Sequence, residues 1–116
     1  MREKVRAVPM RELFATFGWE RIGLFCLDVE GAELHVLRTI DFRAVRIDAF
    51  LIEVGVELIE RGDAAKIDVL LRTQGYRKLR TPPFTPGDVV YLRSALYNVF
   101  VRAHPREGLA ESEARA

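Results

Sequence analysis

Apolar and polar positions fall in blocks along this chain, and the blocks predict its elements. Met10, Leu13, Phe14 and Phe17 recur at helical spacing after Pro9, and Gly18 stands where a left-handed cap would end that helix. Residues 4–8, just before it, read as a short strand. Residues 22–29 are nearly continuous apolar sequence, the pattern of a strand buried on both faces of a parallel sheet. Asp28-Val29-Glu30-Gly31 stops that strand, and helical spacing through Val36, Leu37 and Ile40 follows at once. A second strand of the same kind takes in Ile47 and residues 49–54, and Gly55 ends it. The next helix spans Asp63–Thr73, with Ile67, Leu70 and Leu71 as its stripe, Asp63 as its N-cap and Gly75 just past its end. Residues 76–80, 88–93 and 97–102 read as shorter strands, with a proline-rich loop at 82–87. From Pro105 the tail is small and charged, which predicts a frayed or weakly helical end.

Strands alternating with amphipathic helices define an α/β protein whose parallel sheet carries helices on its faces. Ligands of such sheets bind beyond the carboxyl ends of the strands, so polar residues there are the first candidates for chemistry. Asp28 and Glu30 end the first strand, two positions apart, and in an extended chain they point the same way. Such a pair can bind a cation, orient a substrate hydroxyl or accept its proton. Glu53 ends the second strand inside an apolar run, so it must reach solvent or meet a partner such as an arginine. Glu33, in the first turn of a helix, reads as a solvated position. Gly31 supplies a tight turn. His35 and His104 read as surface residues, and Cys26, in mid-strand, as a small buried hydrophobe.

Composition narrows the classes further. Hydrophobic residues make up 49% of the 116 and charged residues 30%, the balance of one folded domain. Eighteen basic and 17 acidic side chains leave a net charge of +1, which calls for neither nucleic acid nor an anionic membrane. A single cysteine excludes an internal disulfide framework and a cysteine-rich zinc site. No apolar run approaches the ~20 residues of a membrane span, and no signal segment follows the charged start, so the expectation is cytoplasmic. Serine elbows, phosphate loops, paired zinc histidines and glycine-rich dinucleotide turns are missing. A metal-dependent nuclease is disfavoured because no lysine follows Glu53.

Residues 27–34, Leu-Asp-Val-Glu-Gly-Ala-Glu-Leu, with Val36-Leu37 and Ile40-Asp41-Phe42 behind them, resemble the signature of the FkbM-type methyltransferases. The pieces Leu51-Ile52-Glu53-Val54, Leu70-Leu71 and Gly75-Tyr76 follow in that family's order, and the resemblance covers residues 5–102. It implies a partial Rossmann-like methyltransferase fold, with parallel strands, flanking helices and an antiparallel C-terminal edge. It also implies S-adenosylmethionine as cofactor and O-methylation of a hydroxylated metabolite or sugar. By the same resemblance, Asp28 takes the acceptor's proton with Glu30 beside it, and Glu33 and Glu53 bind the acceptor. No cofactor-binding or metal-binding residue is assigned.

Complete members carry a glycine-containing cofactor loop and a ribose-binding acid upstream, and the residues before Ile22 contain neither. Residues 1–103 are therefore expected to be the C-terminal part of the domain and 104–116 a flexible tail. Two classes stay open: a methyltransferase lacking its cofactor-binding half, and a non-catalytic module for binding or assembly. Either way, the strand ending at Asp28 is expected to be a hydrophobic edge, which implies self-association, poor solubility or pairing with a missing N-terminal half unless residues 4–8 fold over it.

Overall fold

The computed structural model describes residues 6–80 and 87–108. Helix α1 (Met10–Phe17) begins after Pro9 and ends at Gly18, whose φ of 67° is the left-handed cap expected there. Strand β1 (Arg21–Leu27), helix α2 (Glu33–Arg38) and strand β2 (Arg46–Glu53) follow. Next come helices α3 (Val56–Glu60) and α4 (Asp63–Thr73), then strands β3 (Tyr76–Lys78) and β4 (Asp88–Arg93). Helix α5 (Ser94–Ala103) and a 3₁₀ turn at Pro105–Gly108 complete the described chain.

The four strands form one sheet in the order β1-β2-β4-β3. β1 and β2 are parallel, whereas β4 runs antiparallel to both of its neighbours. This is the mixed α/β sheet with an antiparallel C-terminal edge that the sequence implied. Register partners share a face, so Phe25 lies beside Phe50, and Phe50 beside Tyr91. That face is the core. Phe14 from α1 meets the Phe25 ring edge-on at 6.0 Å, and Phe50 packs against Phe25, Phe42 and Tyr76. Leu34 and Leu37 of α2, Leu58 of α3, and Ile67 and Leu71 of α4 close over it.

Several expectations need correction. Residues 97–102 are helical, not a strand, because Tyr97 packs inward while Phe100 and Val101 follow at helical spacing. Their apolar residues also alternate at 97, 99 and 101, which is what suggested a strand. Helix α3 went unread, being only five residues long. Gly62, with φ of 81°, stands at the N-cap of α4 in place of Asp63, which opens the helix and pairs with Arg61. β1 is not buried on both faces: Leu24 is 57% exposed, and Cys26 is exposed rather than buried. Phe17 leaves the α1 stripe for the surface, where it stacks on Trp19 at 5.0 Å.

Residues 6–8 have no regular structure, and the remainder of the strand expected at 4–8 lies outside the described residues. Most of the 82–87 loop and residues 109–116 of the tail also lie outside them. Within the 3₁₀ turn Glu107 is buried, and its carboxylate accepts the backbone N–H of Arg80. Among the described residues, no helix is long and apolar enough to cross a membrane.

Candidate functional site

The carboxyl ends of the two parallel strands open into a cleft of about 440 Å³. β1 delivers Asp28 and the turn after it delivers Glu30, while β2 delivers Glu53. The start of α3 adds Glu57, which the sequence reading missed; its only sequence signal is a position just past the glycine that ends β2. Glu33 closes the floor. The structure thus gathers all four predicted site residues around one opening, although they span 26 positions of chain, from 28 to 53.

Strand geometry does not persist through Glu30, because β1 stops at Leu27 and Glu30 adopts a positive φ of 46°. Gly31 follows with φ of 104°. A side chain other than glycine is strained in this region, so two consecutive left-handed residues need external support. Glu33 supplies it from inside. Its carboxylate accepts the backbone N–H of Val29 at 2.8 Å and that of Gly31 at 2.9 Å. The residue is 1% exposed, which corrects the reading of Glu33 as a solvated helix position. A buried carboxylate is tolerable here because two backbone donors solvate it and it sits at a helix start.

Arg61 holds the same turn from outside. Its Nη2 donates to the Gly31 carbonyl at 2.6 Å and to Asp63 Oδ2 at 2.7 Å. Gly31 is therefore pinned through its N–H by Glu33 and through its carbonyl by Arg61. Arg61 went unread because it acts across 30 positions of sequence.

Glu53 reaches solvent, and its partner is another acid rather than the arginine considered from sequence. A side-chain hydrogen bond with Asp28 and the charge of Asp28 raise its pKa, with smaller contributions from burial, Asp88 and Glu33. A second carboxylate at the adjacent strand end thus disfavours the charged form of Glu53. A raised pKa means the folded state binds the Glu53 proton more tightly than the unfolded chain does. The associated stability is present below the ordinary carboxylate range and is lost as pH rises through the raised value. Glu53→Gln is therefore expected to flatten the acid-to-neutral slope of stability and to raise the neutral-pH melting temperature. Melting curves across that range check it, and an unchanged slope would count against the raised pKa of Glu53.

Elsewhere, burial and a hydrogen bond to Asp68 push the Tyr91 hydroxyl up, and burial does the same for Tyr76, which donates to the Ile47 carbonyl. Both hydroxyls tie core strands and helices together and stay away from the cleft. Among the described residues no group of three His, Cys, Asp or Glu side chains is arranged to hold a metal ion.

An α/β sheet with one antiparallel strand, carrying acids at the ends of its parallel strands, is the class this fold and cleft define. The family model of the methyltransferase FkbM domain matches residues 2–78, from the segment ahead of α1 through β3. The chain belongs to that family. No curated protein and no solved structure gives a significant match.

Proposed function

We propose that this chain forms the acceptor side of an S-adenosylmethionine-dependent methyltransferase whose acceptor is a hydroxylated metabolite or sugar. The observation that carries the reading is the cleft that gathers Asp28, Glu30 and Glu53 at the ends of adjacent parallel strands. Methyl transfer to an alcohol needs the hydroxyl oriented and its proton removed as the oxygen becomes nucleophilic. Asp28 accepts that proton, Glu30 orients the neighbouring hydroxyl, and Glu53 contacts the acceptor. Glu33 acts from beneath as a positioning residue, since its carboxylate is occupied by Val29 and Gly31.

The methyl donor implied by the family does not fit the described cleft as a whole. Five carboxylates line it, while Val56 and Leu58 are its only large apolar residues, too few for a flat slot around a purine. Arg61, the nearby cation, is engaged with Gly31 and Asp63. Donor-binding residues are therefore assigned outside this cleft, and the chain as described is the part that selects and deprotonates the acceptor.

Calorimetric binding of a panel of hexoses, pentoses and polyols to the chain, and transfer of labelled methyl groups to them once a donor-binding half is supplied, test the proposal. Asp28→Asn is expected to lower the rate by about 10²–10⁴-fold with the fold intact. No acceptor binding by the wild-type chain, or an unchanged transfer rate in the variant, overturns it. One observation favours the second class, a non-catalytic assembly module: β1 pairs only with β2 among the described residues and leaves its other edge open.

A further inference from the structure

Among the described residues the outer edge of β1 is unpaired, and it continues onto an apolar face. Leu24, Ala49 and Leu92 are register partners across three strands, and Cys26, Leu51 and Val90 form the next row but one. Residues two apart on a strand share a face, so these two rows make one patch. Leu24 is 57% exposed, Cys26 is exposed, and the other four are half-buried. Helix α5 packs on β3 and β4 but leaves the β1 end of this patch bare. An apolar strand with an unpaired edge is a template for another strand.

We propose that β1 pairs antiparallel with β1 of a second copy of this chain, with Leu24 on the twofold axis. The inference goes beyond methyl transfer and does not depend on it. Three features of the strand select this occupant and this register. Symmetric pairing centred on Leu24 sets Leu24 against Leu24 and Ile22 against Cys26, so every exposed apolar side chain on that face meets another. On the opposite face it sets Phe25 across from Gly23, where nothing lies within 4 Å of the position a Cβ would take. An aromatic ring laid over a cross-strand glycine is a stabilising arrangement, and twofold symmetry makes it twice. Centring on Phe25 instead would oppose Ile22 to Asp28, and centring on Gly23 would oppose Arg21 to Phe25.

Charge favours the antiparallel direction. The start of β1 carries Arg21, and its end leads into Asp28 and Glu30. Antiparallel pairing brings the basic end of each copy to the acidic end of the other, whereas parallel pairing would stack like ends. Glu20 would face Asp28 and so limits the paired segment to the strand itself. Arg21 of the second copy then reaches the rim of the acidic cleft, beside Asp28.

Sedimentation velocity and crosslinking on the whole chain test the proposal. The wild type is expected to sediment as a dimer. Leu24→Lys places like charges directly opposite on the axis and is expected to raise the dissociation constant about tenfold or more. Mixing Leu24→Lys with Leu24→Glu is expected to restore the dimer. Ile22→Cys is expected to give a covalent dimer through Cys26 on mild oxidation. The wild type is not, because its two Cys26 residues would stand roughly 13 Å apart along the strands. Circular dichroism confirms that each variant is folded. A monomeric wild type, or association that Leu24→Lys leaves unchanged, overturns the interface. Failure of Ile22→Cys to crosslink, or a Cys26–Cys26 bond in the wild type, overturns the register.

Discussion

Replacing Glu33 by alanine is expected to destabilise the protein by about 2–4 kcal/mol, the cost of leaving two inward-facing backbone N–H groups without an acceptor. The donors are those of Val29 and Gly31. They sit on either side of Glu30, whose positive φ persists only while the turn is held. Loss of Glu33 therefore does more than lower stability: Glu30 relaxes toward right-handed backbone, and Asp28 loses its fixed approach to Glu53. Glu33→Gln keeps an oxygen that can accept one of the two bonds, so its loss is expected to be about half as large. Chemical denaturation of the two variants against wild type measures the difference. Equal stability of Glu33→Ala and wild type would show that the turn does not depend on this carboxylate.

Phe50→Ala is expected to cost about 3–5 kcal/mol, a large part of the roughly 5–15 kcal/mol that holds a domain of this size together. Phe50 is fully buried at the centre of the sheet. Its ring centroid lies 5.0 Å from that of Tyr76 and 5.7 Å from that of Phe25. No small side chain can collapse into a site walled by three other rings, so a cavity remains. Phe50→Leu keeps most of the apolar volume and is expected to lose much less. Urea midpoints and slopes for both variants separate cavity formation from a change in the unfolded state. A Phe50→Ala midpoint close to wild type would mean the rings repack across the gap.

Much of the fold was legible because burial leaves a periodic imprint on sequence. Helix α4 falls at the predicted residues since Ile67, Leu70 and Leu71 must face the sheet together, and α1 ends at a glycine for backbone reasons that are local. β4 was legible for the same reason as the strands before it. The segment after β4 was not, because a short amphipathic helix and a short strand can place aliphatic and aromatic residues at overlapping positions. Which period applies depends on packing, here that of Tyr97, whose ring lies 4.9 Å beneath the Arg77 guanidinium.

The candidate site divides in the same way. Strand ends bearing Asp28, Glu30 and Glu53 could be located from the chain alone, because an apolar run followed by acid and glycine marks where a buried strand stops. Their meeting could not: Asp28 and Glu53 line one cleft because β1 and β2 pair in parallel register, Leu27 beside Ile52. Glu33 shows the limit most clearly. By type and position it looked solvated, and only the left-handed turn at Glu30 and Gly31 turns its carboxylate inward to two backbone donors. Local chemistry and periodicity along the chain determined the elements, the acidic strand ends and the family resemblance. Which acids share a cleft, which acid braces a turn and which sheet edge is unpaired among the described residues are long-range facts. They depend on strand register and sheet order, which residues far apart in sequence establish together.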